Sequence, residues 1–96
     1  MTGQELQRKG VALLRASGWL VEVFADRRRS RIPGWIDVIA FRRGVTLLIE
    51  VKGAGDRPRP SQIKFRSALE PHTGVRLRYA VATGLSDFVR LAEVGY

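Results

Sequence analysis

The sequence predicts a single small α/β domain, with the element order α-β-β-β-α-β-α and one mixed central sheet flanked by helices. The chain has 96 residues, of which 45% are hydrophobic, enough for one modest core and one domain over residues 1–96. Short runs rich in β-branched residues end at Gly, Pro or Arg-Gly turns, as strands do. Segments with helical periodicity and capping residues precede, separate and follow these runs, which gives the order of the elements.

The first helix is predicted to begin at a capping box. Residues 2–5 (TGQE) place a glutamate three residues after a threonine N-cap. We expect the helix to run to about Ser17, where a glycine follows, and residues 19–24 to form the first strand. Glu5 therefore has a complete structural explanation as the partner of the threonine cap.

The next two strands are predicted to form an antiparallel hairpin. Residues 36–41 and 45–51 are short, apolar runs joined by a tight RRG turn. Strands that are apolar on both faces belong in the middle of a sheet with layers packed on each side. Asp37, Glu50 and Lys52 are out of place there, because a buried charge is costly unless a partner compensates it.

The length of the turn decides whether Asp37 and Glu50 share a face of the sheet. A two-residue loop at Arg43-Gly44 places them directly opposite, with Cβ atoms roughly 5 Å apart. A four-residue loop makes them diagonal neighbours, and a three-residue loop puts them on opposite faces. Two facing carboxylates repel each other, and a shared proton or a divalent cation relieves the repulsion.

Lys52 is expected on the same face as Glu50, about 7 Å further along the strand. Two acids and an ammonium group beside a cation suit phosphoester hydrolysis, because the metal activates the phosphate and the attacking water. The lysine would orient that water or neutralise charge. The alternative interpretation is a buried strand that emerges into solvent, where acid-x-base triplets are common.

The charge and composition of the chain point to nucleic acid as its partner. The formal net charge is +8, and 14 of the 17 basic residues are Arg, which suits bidentate contacts to phosphate. A generic arginine-rich surface is the alternative. With no Cys and one His, a disulfide framework and a thiolate or His-rich metal site are excluded. No membrane-spanning run or signal-peptide core is present, which predicts an intracellular, cytoplasmic protein with no membrane partner.

Two basic loops flank the predicted site, and we expect both to contact the phosphate backbone of DNA. The first leads into the strand of Asp37, and the second, residues 53–60 (GAGDRPRP), is too rich in Gly and Pro for regular structure. A charge run can also be no more than a solvated loop. The candidate contacts are Arg27, Arg28, Arg29, Ser30, Arg31, Arg57, Arg59 and Lys64.

The rest of the chain supplies two helices and a strand. Ser61 is expected to cap a helix that runs to about Leu69 and carries Gln62 in its first turn. Residues 75–83 predict the last strand. Ser86 is expected to cap a short closing helix.

Five of these residues resemble a known nuclease pattern. An acid, twelve residues, and then Glu-Val-Lys resembles the PD-(D/E)xK nuclease superfamily, and the wider stretch resembles its virus-type replication-repair nuclease (VRR-NUC) branch. The matching residues are Gly34, Asp37, Glu50, Lys52 and Gln62. The chain departs from the branch at Ile36, where proline is usual, which affects the shape of the loop but removes no ligand.

The resemblance implies a restriction-endonuclease-like core and a Mg²⁺- or Mn²⁺-dependent DNA endonuclease. It assigns metal binding to Asp37, Glu50 and the Val51 carbonyl, positioning of water to Lys52, and support to Glu5 and Gln62. Small stand-alone members of the branch act as homodimers on branched DNA such as four-way junctions, and related junction-resolving nucleases carry a loop serine comparable to Ser30.

Two other classes of function stay open at this point. In a non-catalytic basic module, arginines would neutralise Asp37 and Glu50, and nucleic-acid binding would be salt-sensitive but indifferent to Mg²⁺. A protein that only assembles with other proteins would have no affinity for nucleic acid at physiological salt.

Overall fold

The computed structural model describes residues 1–24 and 32–95. The elements are α1 (Gly3–Ala16), β1 (Leu20–Val23), β2 (Val38–Arg42), β3 (Val45–Val51), α2 (Pro60–Leu69), β4 (Leu77–Ala82) and α3 (Leu85–Val94), with a 3₁₀ turn at Glu70–His72 before β4. The predicted order of the elements is confirmed. Across the described ranges, no helix is long and apolar enough to span a membrane.

The sheet is mixed, as predicted, and its strand order is β1-β2-β3-β4. The pairs β1–β2 and β2–β3 are antiparallel, whereas β3–β4 is parallel. A parallel pair needs a crossover connection, and α2 lies in it. The two strands of the predicted hairpin are therefore the central strands, although β2 begins just after Asp37 and not before it.

The two faces of the sheet are covered unequally. Alternate residues such as Ala40, Leu47 and Ile49 are fully buried in the core that α1 and α3 complete. On the other face, the paired residues Leu20 and Phe41 are 72% and 42% exposed. The expectation of a packed layer on each side is therefore met in full on one face only. The charged residues of the predicted site lie toward the less covered side, beside α2.

Gly10 sets how closely α1 approaches α3. A Cβ at this position would overlap the ring of Phe88, which is itself fully buried. Gly10→Ala is expected to destabilise the fold by roughly 1–3 kcal/mol through overpacking, although alanine favours a helix by about 1 kcal/mol. Thermal unfolding should show Tm falling about 4–8 °C for each kcal/mol. Gly74→Ala is the control, since its Cβ would meet nothing within 4 Å; an equal Tm for the two variants would contradict the packing.

The predicted cap of α2 is wrong. The helix begins at Pro60 with Arg59 as its N-cap, so Ser61 lies inside the first turn. Proline suits the first helical position because its missing N–H has no partner there in any helix. The Gln62 side chain accepts a hydrogen bond from the Arg59 amide at 2.9 Å, which supplies the capping contact and fixes the orientation of the glutamine.

The predicted cap of α3 is also wrong. The helix follows Gly84, so Ser86 lies within it. The Asp87 carboxylate instead accepts hydrogen bonds from the Thr83 amide at 2.8 Å and the Thr83 hydroxyl at 3.0 Å. The bond from the Thr83 amide lowers the pKa of Asp87 below its ordinary value.

Asp87→Asn is expected to destabilise the protein near neutral pH by about 0.3–1 kcal/mol, because a negative charge in the first turn of a helix is favourable. The pKa of Asp87 is lower in the folded state, so its contribution is present above the ordinary Asp pKa of about 3.9 and is lost as the pH falls through the folded value. The difference in Tm between wild type and Asp87→Asn should therefore shrink at acid pH. A difference independent of pH would contradict this role.

Candidate active site

The hairpin adopts the two-residue loop, the first of the three lengths considered. Arg43 and Gly44 both have positive φ, 49° and 81°, the signature of a turn whose twist matches that of the strands. The register runs from Arg42↔Val45 to Val38↔Ile49. The Asp37 amide also donates to the Ile49 carbonyl at 3.1 Å. Asp37 therefore lies where the ladder ends, beside Glu50.

The Asp37 carboxylate is tied across to β3. Its Oδ2 accepts a hydrogen bond of 2.7 Å from the Val51 amide, and the side chain is only 6% exposed. This bond orients the carboxylate at the carboxyl end of the central strand. The residue that donates is the one whose carbonyl the resemblance implied as a metal ligand.

Among the described residues, one oxygen of the Glu50 carboxylate accepts a hydrogen bond. The Tyr79 hydroxyl donates to Glu50 Oε2 at 2.6 Å. Oε1 is buried and has no hydrogen-bond partner within the part of the chain that the structure describes. Unpaired buried oxygens are rare in folded proteins, and one on a carboxylate 3% exposed indicates a place for a ligand.

Tyr79 reaches Glu50 through the parallel pairing of the sheet. Tyr79 pairs with Leu48, and Glu50 pairs with Val81. Residues two apart on a strand share a face, so Tyr79 lies on the face of Glu50, two residues before its strand partner. Burial, followed by the hydrogen bond to Glu50, raises the pKa of the Tyr79 phenol, and the charge of Asp37 adds to the rise. The register of β2, β3 and β4 places Asp37, Glu50 and Tyr79 on the same side of the sheet.

Lys52 and Gln62 form a buried pair next to the carboxylates. Lys52 Nζ donates to Gln62 Oε1 at 2.6 Å, and that oxygen also accepts from the Arg59 amide. Two donors on Oε1 fix the orientation of the Gln62 amide, so its Nε2 points elsewhere. Nε2 is buried and has no partner among residues 1–24 and 32–95.

Glu50, Gln62 and Tyr79 border one open cleft of about 150 Å³ that Arg66 and Glu70 also line, whereas Asp37 and Lys52 are not among its lining residues. The guanidinium of Arg66 lies 5.4 Å from the centroid of the Tyr79 ring, a cation–π distance. Glu50 and Gln62 carry the buried atoms Oε1 and Nε2, which have no partner among the described residues, and both line this cleft together with the Arg66 cation and the Glu70 carboxylate. Such a set can hold a metal ion and accept phosphate oxygens.

Glycines allow the two helix starts to approach the site. Gly34 has φ +77°, and a Cβ there would overlap the Ser61 carbonyl at the start of α2. A Cβ on Gly53, the residue after Lys52, would overlap the Gly3 amide at the start of α1. Any larger residue would push one of these helices away, so the glycine of the predicted pattern has a packing reason.

The structure does not bring every predicted residue into the site. Glu5 is exposed, and it accepts a hydrogen bond from the Thr2 hydroxyl at 3.2 Å, while its amide donates back to that hydroxyl at 3.1 Å. Across the described part of the chain, no group of three or more His, Cys, Asp and Glu side chains could hold a metal. Glu5 thus makes the capping contact and does not join the pair of Asp37 and Glu50.

The predicted DNA contacts fall into two groups. Arg57, Arg59 and Lys64 are exposed near the start of α2, as a phosphate-binding surface requires. The other predicted contacts lie outside the described residues; they are Arg27, Arg28, Arg29, Ser30 and Arg31.

Sequence reasoning missed Tyr79 and Arg66 as site residues. Tyr79 was visible only as one apolar position of the last strand, and Arg66 as one of many arginines. The connection from β3 to β4 contains α2 and is not a tight turn. The register of these two strands therefore could not be predicted from the length of a loop. The alternation of residues on β4 showed that Tyr79 faces one side of the sheet, but not that it meets Glu50.

Comparison with known proteins identifies the architecture. Neither the models of protein families nor the curated protein sequences include a match to this chain. A solved structure titled "VRR_NUC domain" superimposes on it with a TM-score of 0.76, covering 100% of this chain and 99% of that one at 21% sequence identity.

The chain has the VRR_NUC fold. The predicted resemblance to the VRR-NUC branch and the predicted fold class are therefore confirmed in the architecture. At 21% identity the likeness establishes the fold, and a fold alone does not determine function.

Proposed function

We propose that this protein is a DNA endonuclease that depends on a divalent metal and hydrolyses phosphodiester bonds. The VRR_NUC fold supports this proposal, as do the buried acids and lysine at the end of its central strands and the net charge of +8. The observation that carries it is the Glu50 carboxylate, buried beside Asp37 with Oε1 unpaired among the described residues.

A divalent cation fits this pair of carboxylates. Mg²⁺ and Mn²⁺ prefer hard oxygen ligands, and Mg²⁺ sites in enzymes usually combine one or two carboxylates with substrate phosphate and water. Asp37 and Glu50 would supply the two carboxylates, and the Val51 carbonyl a third oxygen. The cation would stabilise two acids whose burial in a sheet is otherwise unfavourable. When bound, it supplies Lewis acidity that polarises the phosphate and makes water a better nucleophile.

The buried Lys52 and Gln62 would supply a fixed ammonium group and an amide donor for the reaction. Gln62 holds Lys52 Nζ at 2.6 Å, so the ammonium group is fixed before substrate arrives. A fixed cation stabilises the charge that develops on the phosphate and orients the attacking water. Gln62 Nε2, which has no partner in the described ranges, is a buried donor ready for a phosphate oxygen.

Arginines and a lysine would hold the DNA backbone. Arg57, Arg59 and Lys64 are exposed near the start of α2. The arginines of residues 27–31 precede β2 in the sequence. Such contacts carry affinity that falls steeply with salt and little base specificity. The DNA substrate we propose is branched, such as a four-way junction, cut by a homodimer whose two sites face the two strands.

The test is cleavage of a labelled panel of duplex, single-stranded, flap and four-way-junction DNA, with Mg²⁺, Mn²⁺ or EDTA. We expect cutting only with metal, strongest on a branched substrate, and a dimer by light scattering. Binding that persists in EDTA, with no cutting under either metal, would contradict the proposal and favour a non-catalytic DNA-binding module.

A further inference from the structure

Tyr79 makes a hydrogen bond to one of the two oxygens of the Glu50 carboxylate. Its hydroxyl donates to Oε2 at 2.6 Å, a short bond of the kind that a charged acceptor makes. The other oxygen, Oε1, is buried and has no partner among the residues that the structure describes. One oxygen is therefore occupied by the protein, and the other is left for a ligand.

The tyrosine is held firmly in this position. The parallel pairing Leu48↔Tyr79 places it on the face of Glu50, and the guanidinium of Arg66 lies 5.4 Å from the centroid of its ring. Strand pairing fixes the backbone, and the ring is packed against α2 through that arginine. The hydroxyl does not depend on a flexible loop for its position.

Metal ions differ in how they use a carboxylate. Mg²⁺ requires near-octahedral geometry at short distance and takes one oxygen from each carboxylate, whereas Ca²⁺ accepts six to eight oxygens and often binds both oxygens of one carboxylate. Mn²⁺ resembles Mg²⁺ in preferring an octahedral set of oxygens. A carboxylate with one oxygen withheld therefore disfavours Ca²⁺ more than the two smaller ions.

We propose that Tyr79 restricts Glu50 to a single ligating oxygen and so makes the site select Mg²⁺ and Mn²⁺ over Ca²⁺. Tyr79 acts as a positioning residue through Glu50. The inference rests on the proposed function, because it assumes that Glu50 binds the metal.

The test is calorimetric titration of the full chain with Mn²⁺ and, separately, with Ca²⁺, for wild type, Tyr79→Phe and Val81→Ala. Tyr79→Phe removes only the hydroxyl and leaves the ring against Arg66. Val81 is the strand partner of Glu50 and borders the same cleft, so Val81→Ala removes packing there without touching the hydrogen bond. Circular dichroism would confirm that each variant is folded.

We expect Tyr79→Phe to raise the affinity for Ca²⁺ relative to Mn²⁺ by about tenfold, the scale on which residues behind metal ligands act. Val81→Ala should leave the ratio of the two dissociation constants near that of wild type. The inference about Tyr79 would be overturned if the ratio of the two dissociation constants did not change in Tyr79→Phe, or if it changed equally in Val81→Ala. In either case, binding of Mn²⁺ by the wild type would still support the proposed function. No Mn²⁺ binding by wild type would overturn both.

Discussion

Glu50→Gln is expected to lower the rate of DNA cleavage by on the order of 10³-fold, the effect of removing a charged group at the centre of a preorganised site. The substitution keeps the shape of the side chain and an oxygen for the Tyr79 hydroxyl, but it removes the negative charge that would hold the cation. The affinity for DNA without metal should not fall, because the loss of a negative charge cannot weaken binding to phosphate. Single-turnover cleavage and EDTA binding assays measure the two effects.

The control is the same change at an exposed carboxylate two strands away in the sheet. Glu22 lies on β1 and is exposed, so Glu22→Gln alters the net charge equally and should leave cleavage within about twofold of wild type, as for a surface change that makes no contact with the site. Cleavage by Glu50→Gln at the wild-type rate would remove Glu50 from the mechanism.

Lys52→Met is expected to lower the cleavage rate by about 10²–10³-fold, since it removes a fixed cation from the site of charge development. The fold should be no less stable, because a buried ammonium costs solvation free energy and methionine fills a similar volume. Cleavage rates and Tm, compared with Lys9→Met on the exposed surface of α1, separate a catalytic loss from an effect of charge. If Lys52→Met instead lowered Tm strongly and its folded molecules cleaved DNA at the wild-type rate, Lys52 would be a structural residue.

The hairpin was predictable because its geometry is local. Positive φ is ordinary for Gly44 and uncommon for Arg43, and the two-residue turn requires it at both positions. Once the length of the turn is known, the register follows from counting residues. The position of Asp37 relative to Glu50 could therefore be predicted from the length of the turn alone. The alternatives of three and four residues were open because an RRG turn admits more than one loop.

Contacts between distant elements were not predictable in the same way. The parallel register of β3 and β4 depends on how α2 packs, so the hydrogen bond between Tyr79 and Glu50 has no signal in sequence spacing. The cap of α2 was misplaced because Ser61 is a good N-cap by residue type, yet Pro60 already fits the first helical position and Gln62 satisfies the Arg59 amide.

Asp37 and Glu50 are proposed to bind a divalent cation, and anomalous diffraction at the manganese edge from crystals soaked in Mn²⁺ would locate that ion. We expect a peak within bonding distance of Glu50 Oε1 and an Asp37 carboxylate oxygen. A fully occupied manganese site elsewhere, with Glu50 still bonded only to Tyr79, would contradict it.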